Sequence, residues 1–241
     1  MRILITSGGT SEKIDDVRAI TNHSSGKLGK AIAESFAKSD VMIDMITTRH
    51  AVKPEGKNIQ HYYIESTADL EKTLKDLMTA NTYDAVIHSM AVSDFTPESS
   101  TTLEDLESAI ATQPADLPKA LVDIANERTE KKISSDTDHL VIVLKKNPKI
   151  ISLIKKLQPE TILVGFKLLV DVPMIELLNV AKKSLEKNHA DFILANDLAE
   201  IRGEKHHGYL INKQQKVKEA HTKSEIADLI KSEVMKLEEA K

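Results

Sequence analysis

Ser7-Gly8-Gly9-Thr10 directly follows an apolar run, Ile3-Leu4-Ile5, and Asn22-His23-Ser24-Ser25-Gly26-Lys27 directly precedes a stretch in which Leu28, Ile32 and Phe36 recur at helical spacing. Four of the chain's eight glycines (Gly8, Gly9, Gly26, Gly29) fall in or beside these segments, so glycine is concentrated where backbone must approach something closely. The chemistry on offer is anion binding. Ser24 and Ser25 as caps, backed by Gly26 and Lys27, bring amide donors, the positive end of a helix dipole and an ammonium group to one place, a seat for phosphate. Gly8, Gly9 and Thr10 with Ser24, Ser25, Gly26 and Lys27 are therefore the first nucleotide-binding candidates; a capped helix behind a long surface loop is the plainer alternative. Standard fingerprints do not fit. A P-loop needs glycine at 21 and a hydroxyl at 28, where Thr21 and Leu28 stand. The dinucleotide pattern is met only as Ser24-x-Gly26-x-x-Gly29, with about twenty residues of loop where that fold has a tight turn, which disfavours ordinary NAD binding.

Further segments carry chemistry. Ser89-Met90-Ala91-Val92-Ser93-Asp94 is a run of mostly small side chains against which a flat ring can lie, ending in a carboxylate that either binds a ribose hydroxyl or metal-phosphate or caps the next turn. Lys131-Lys132-Ile133-Ser134-Ser135 sets a lysine beside two hydroxyls, or is a solvated charge. Asn147-Pro148-Lys149-Ile150 reads as an N-cap with proline at the first helical position, a second helix start that presents amides to a ligand. Lys183 and Lys187, four apart, either clamp a polyphosphate or form a solvated face, opposite a buried stripe of Leu177, Leu178, Ala181 and Leu185. Gly165-Phe166-Lys167 and Ala195-Asn196-Asp197 end two apolar runs with an aromatic platform and polar groups. His206-His207 near Glu204 reads as structural or solvated, because neighbouring side chains on a strand point apart and sequence supplies no third ligand.

Short β-rich runs alternate with helical patterns, which spells a parallel sheet covered by helices. Expected strands are Ile3–Thr6, Val41–Thr47, Ile59–Ile64, Asp84–His88, His139–Leu144, Thr161–Phe166 and Asp191–Ala195. Expected helices are Lys27–Lys38, Ala68–Ala80, Pro148–Leu157, Pro173–Asn188 and a closing Ser224–Leu237, preceded by a hairpin, Gly208–Asn212 with Val217–Ala220. Right-handed crossovers bring the loops after the strands to one rim, where ligands of open α/β sheets bind. The polar stretch 97–137 reads as an insertion with two short helices (Leu103, Leu106, Ile110, then Leu117, Leu121, Ile124), a lid or flap within one domain spanning 1–241. The fold class is α/β: a Rossmann-like, mostly parallel sheet with helices on both faces, a flexible flap and a small C-terminal hairpin.

Composition narrows the function. With 241 residues, 41% hydrophobic and 29% charged, the chain can bury an ordinary globular core. It contains no cysteine, which excludes disulfides, thiolate catalysis and sulfur-ligated metals. A formal net charge of -4 argues against a nucleic-acid surface, and no apolar run reaches the ~20 residues of a membrane helix. Arg2 runs straight into the first strand, so no signal peptide is expected and a cytoplasmic location follows.

Six spaced motifs, Ser7-Gly8-Gly9-Thr10, Asn22 to Lys27, Ala91-Val92-Ser93-Asp94, Lys132-Ile133-Ser134-Ser135, Asn147-Pro148 and Ala195-Asn196-Asp197, occur in an order that resembles phosphopantothenate-cysteine ligase nearly end to end. The resemblance implies an enzyme of coenzyme A synthesis that joins 4'-phosphopantothenate to L-cysteine through an acyl-nucleotide, with CTP favoured and ATP as the alternative co-substrate, and with Mg2+. It implies Asn22 and Lys132 as catalytic groups. Asn22, Ala91, Asn196 and Asp197 would hold substrate. Ser89, Met90, Asp94, Asn147, Pro148, Lys149, Ile150, Phe166, Lys183 and Lys187 would hold the nucleotide, alongside the loop residues above. A homodimer is implied, standing alone from the flavin-dependent decarboxylase to which many bacterial members are fused. Ser134 stands where many bacterial members carry lysine, and Gly165-Phe166-Lys167-Leu168 is closer to the eukaryotic pattern. The weighed alternatives are a flavin- or nucleotide-binding Rossmann-like protein without ligase activity and an oxidoreductase on the same kind of sheet.

Overall fold

The computed structural model describes residues 1–112, 138–203 and 205–241. In chain order its elements begin β1 (Arg2–Ser7), β2 (Ser11–Lys13), β3 (Ala19–Thr21), α1 (Lys27–Ala37), β4 (Met42–Thr48), β5 (Ile59–Ile64), α2 (Thr67–Ala80) and β6 (Ala85–His88). They continue with β7 (Phe95–Thr102), α3 (Leu103–Thr112), β8 (Leu140–Lys146), α4 (Ile151–Leu157), β9 (Ile162–Leu169), α5 (Met174–Lys187) and β10 (Phe192–Asp197). A 3-10 turn (Leu198–Glu200), β11 (Ile201–Arg202), β12 (Lys205–Asn212), β13 (Val217–Thr222) and α6 (Lys223–Glu239) close the chain.

Alternate residues of β1 part to opposite sides of the sheet. Leu4 joins one core layer with Leu70 and Leu74 of α2, Ile154 of α4 and Leu177, Ala181 and Leu185 of α5. Ile3 and Ile5 join the other, with Ile32 and Phe36 of α1 and Ile226, Ile230 and Val234 of α6. Burial on both faces explains why these strands read as continuous apolar runs. The six parallel strands lie in the order β5-β4-β1-β6-β9-β10, so the direction of winding reverses between β1 and β6. β12 adds antiparallel to β10 and β13 to β12, so the expected C-terminal hairpin extends the main sheet as its edge. Among the described residues no helix is long and apolar enough to cross a membrane.

Three local expectations are corrected. The strand at His139–Leu144 exists as β8 but leaves the parallel sheet: it pairs antiparallel with β7 in a separate two-stranded ribbon, Phe95 opposite Lys146 and Thr102 opposite Leu140. The insertion therefore opens on a strand and reaches α3, the first of its two expected helices; the second, with Leu117, Leu121 and Ile124, lies outside the described residues. The helix expected from Pro148 starts at Ile151, and Asn147 caps nothing. Its side chain instead donates to Ser93 O (3.0 Å) and its backbone N–H to Asp94 O (2.9 Å). Part of the long loop after β1 is itself ordered as the β2–β3 hairpin.

Candidate active site at the sheet's switch point

Where winding reverses, strand ends diverge and leave a crevice. Here it is built by backbone. Ser89 N–H donates to Thr6 O (3.2 Å), Ala91 N–H to Gly8 O (2.9 Å) and Thr10 N–H to Ala91 O (3.1 Å), which zips the loops after β1 and β6 together. Asn22 N–H donates to Thr10 O at 3.1 Å, bringing the second glycine motif against the first. A Cβ on Gly9 would stand 2.0 Å from the Asn22 carbonyl oxygen, so only glycine admits this crossing.

The start of α1 differs from the expectation that Ser24 or Ser25 caps it. The N-cap is Gly26, in the left-handed region at φ 75°, and no side chain caps the helix. The first-turn amides and the positive end of the dipole are thus left to a ligand. Gly29 packs its Cα face on the end of β1; a Cβ there would lie 2.2 Å from Ser7 Oγ and 2.5 Å from Ser7 Cβ.

These pieces line a cleft of about 790 Å³. One wall is Ser24, Ser25, Gly26 and Lys27, the floor is Ser89, Met90, Ala91 and Asp94, and Pro148, Lys149 and Ile150 stand beside them. Phe166 within β9, Lys183 and Lys187 on α5, and Asn196 on β10 complete it. Among the described residues, six lysines (Lys27, Lys149, Lys167, Lys183, Lys187, Lys223) line it against one carboxylate, Asp94, which is itself paired with Lys149. In a chain of net charge -4 this local excess of cations gives the cleft a positive field.

Asn22 lies on the far side of this wall. With Gly9, Arg49, Tyr63 and Glu65 it lines a second cavity of about 960 Å³, which shares His23, Ser24 and Ser25 with the first. One short segment thus separates two compartments, with Asn22 and Arg49 in one and the cluster of lysines in the other.

Other candidates are not brought to either cavity. The Thr10 hydroxyl is buried, accepting from Ser93 N–H (2.9 Å) and Thr67 Oγ1 (3.3 Å). Gly8 contributes through its backbone bond to Ala91. Asp197, read as a substrate ligand, is instead a staple: its carboxylate accepts from the backbone N–H groups of Asp171 (2.9 Å), Val172 (2.9 Å) and Ala199 (2.8 Å). Those backbone donors hold it below the usual carboxylate range. Lys132 lies outside the described residues.

Sequence reasoning passed over His88 as a residue of the site and read His206 as structural or solvated; both border the cleft. His88, at the end of β6, is buried with Nδ1 2.9 Å from Thr6 Oγ1, and burial pushes its pKa down to about 4. His206 Nε2 lies 3.0 Å from Asn196 Nδ2 at the other end of the cleft; burial, then the charge of Lys223, lowers it to about 4. With Asn196 as donor, the neutral ring carries its proton on Nδ1, which is buried without a hydrogen-bond partner. No local signal couples Asn196 to His206, since the β10–β12 pairing makes the contact.

Comparison with known proteins agrees with this architecture. The family model described as the DNA/pantothenate metabolism flavoprotein C-terminal domain matches residues 1–105 and 119–237. The "Coenzyme A biosynthesis bifunctional protein CoaBC" of Methanocaldococcus jannaschii is 33% identical over 246 residues, covering 98% of this chain and 51% of that protein, so the chain spans about half the length of this curated relative. The crystal structure of the DNA/pantothenate metabolism flavoprotein from Streptococcus pneumoniae is 42% identical with a TM-score of 0.89, covering 98% of this chain and 99% of that one. The crystal structure of the C-terminal domain of a CoaBC protein is 26% identical with a TM-score of 0.70, covering 99% and 96%. The switch-point cleft is thus set in a matched fold, and the chain belongs to the family of the DNA/pantothenate metabolism flavoprotein C-terminal domain.

Proposed function

We propose that the cleft binds a nucleoside triphosphate, CTP in preference to ATP, and that the chain joins 4'-phosphopantothenate to L-cysteine in coenzyme A biosynthesis. The observation that carries this reading is the lining of the cleft: an uncapped helix start and, among the described residues, six lysines facing a single, already paired carboxylate. In the first step the substrate carboxylate attacks the α-phosphorus, the bond to the β-phosphate oxygen breaks, and pyrophosphate leaves. The cysteine amine then attacks the acyl carbon, loses its proton and expels the nucleoside monophosphate. Bringing a carboxylate to a triphosphate sets like charges together. The amides of α1 and the ammonium groups of Lys27, Lys183 and Lys187 offset that repulsion and stabilise the charge that develops on the phosphoryl oxygens.

Phe166 and the small residues Ser89 and Ala91 offer faces for the base, and Pro148 to Ile150 border it. Asn22, in the adjoining cavity, is assigned to the acyl carbonyl, and Asn196, held by His206, to the substrate side of the cleft. Lys132 is assigned to neutralise phosphate or acyl oxygens. Asp94, released from its pair with Lys149, is the residue that would hold Mg2+ carried in on the triphosphate, an oxygen donor of the kind that ion takes. When bound, the ion would withdraw charge from the phosphoryl oxygens. A homodimer, and a flavin-dependent decarboxylase that consumes the product, are the proposed partners.

The deciding assay is pyrophosphate release with 4'-phosphopantothenate, cysteine and each nucleotide in turn. Release that needs both substrates and is faster with CTP supports the proposal; release with ATP alone reverses the nucleotide preference. No release with either nucleotide rejects ligation. A yellow purified protein without release favours flavin binding.

A further inference from the structure

Adjacent histidines on a strand diverge, and β12 divides its pair in this way: His206 faces the cleft and His207 the opposite side. The third ligand that sequence could not supply comes from the neighbouring strand. Tyr209 pairs with Glu219, and the period of two places His207 and Tyr209 of β12 on one face with Glu219 and His221 of β13. His207 Nε2 lies 3.3 Å from Glu219 Oε2, and the His207 and His221 rings, tilted by 34°, lie 4.6 Å apart between centroids. One donor atom from each of His207, Glu219 and His221 lies within 4.8 Å of the others. From the other side Glu200, in the 3-10 turn after β10, sets Oε2 3.1 Å from His207 Nδ1, and the Tyr209 hydroxyl lies 3.3 Å from the same nitrogen.

We infer that this cluster is a binding site for a divalent transition-metal ion of the zinc type, with His207 Nε2, the Glu219 carboxylate and a ring nitrogen of His221 as ligands. Two imidazoles with a carboxylate suit zinc, whereas magnesium prefers oxygen alone. Around tetrahedral zinc, donor atoms stand about 3.3 Å apart. The His207–Glu219 pair has that spacing already, and His221 and Glu219 are exposed enough to rotate inward. With Nε2 on the metal, His207 Nδ1–H donates to Glu200, the carboxylate–histidine–metal arrangement that fixes ring orientation and raises ligand basicity. Two neutral imidazoles, two carboxylates and one divalent ion are neutral together. The bound ion ties the edge strand β13 and the turn after β10 to β12, on the side of the sheet edge away from the cleft.

The rival account of the same geometry is an ion-pair network with no metal, in which His207 is an imidazolium donating to both glutamates. Isothermal titration of the chelator-treated full chain with Zn2+ separates the two. One equivalent bound in the micromolar range, about tenfold or more weaker in Glu200→Gln and lost in the double variant His207→Gln/His221→Gln, supports the site. Because seven other histidines are present, one-equivalent binding that survives the double variant overturns it, as does the absence of saturable binding or equal competition by Mg2+. Co2+ added to the unmodified chain gives a readout independent of any variant's folding. Intense visible bands of a tetrahedral nitrogen and oxygen site are expected, and weak octahedral bands overturn the inference.

Discussion

Replacing Gly29 with alanine isolates the contribution of the α1 start. The new Cβ would lie 2.2 Å from Ser7 Oγ, 2.5 Å from Ser7 Cβ and 3.1 Å from Ser89 Oγ. Carbon atoms in contact rest about 3.5–4.0 Å apart, so either α1 retreats by about 1 Å or the buried end of β1 yields. Overpacking of this kind costs about 1–3 kcal/mol, and alanine's better helix propensity returns about 0.8–1 kcal/mol. The net loss of stability is then about 0–2 kcal/mol, and the chain stays folded. Binding suffers more. A retreat of about 1 Å stretches a normal N–H···O bond of about 2.9 Å beyond the bonding range, and a bond to a charged oxygen contributes about 1.5–3 kcal/mol. Losing one lowers triphosphate affinity about 10–100-fold at about 1.4 kcal/mol per decade.

The assay is calorimetric titration of Gly29→Ala with CTP and ATP, with urea denaturation alongside. Both of the closest clashing atoms belong to the Ser7 side chain, so Ser7→Gly in the same chain should restore much of the affinity, a coupling that independent sites would not show. A folded Gly29→Ala variant that binds the triphosphate within twofold of the parent would refute the argument that the α1 amides form the phosphate seat.

Other outcomes follow from the same geometry. His88 and His206 are held neutral by burial with pKa values near 4, so between that value and about 6.5 the unfolded chain binds more protons than the folded one. Stability is therefore full above about pH 6.5 and falls as the pH drops toward 4, with proton uptake on unfolding approaching two; urea midpoints that stay flat from pH 7 to 5 would contradict this. Asp191→Asn should cost about 3 kcal/mol by denaturant titration, because the carboxylate accepts from Leu163 N–H (2.8 Å) and pairs with the largely buried Lys155 (2.8 Å) and with Lys213 (2.5 Å). Burial alone would raise the Asp191 pKa, but these donors hold it low, so its contribution is present above the usual carboxylate range and lost in acid; the variant's stability should fall less steeply there. Asn22→Asp should slow conversion of the acyl-nucleotide, followed by single-turnover product formation, while leaving CTP affinity within a few fold, since Asn22 lies in the adjoining cavity.

Local patterns carried the frame. The apolar runs that became β1, β4, β6, β9 and β10 were legible because strands buried on both faces need such runs, the half-exposed edge strand β5 because β-branched and aromatic residues recur in it, and α1, α2, α5 and α6 because one face of each must meet the sheet. The glycine motifs and the lysine pair were legible as residue types able to hold an anion, and the cleft does gather Ser24 to Lys27, Ser89 to Ala91, Asp94, Pro148 to Ile150, Phe166, Lys183, Lys187 and Asn196.

What sequence could not decide was every matter of partnership between distant segments. Asn147 looked like a helix cap because its neighbours permit one, yet its side chain is taken by Ser93 across the base of the β7–β8 ribbon. Asp197 offered a ligand's carboxylate, and the turn after β9 claimed it with backbone amides. The histidines of β12 were mute until strand pairing set His206 against Asn196 and His207 between Glu200 and Glu219. Periodicity and composition are properties of neighbours along the chain, and they determined the layers and the chemical class of the rim. Hydrogen-bond partners are chosen by register and crossing between segments remote in sequence, so only the tertiary structure decided which polar groups are consumed in holding the fold and which are left for a ligand.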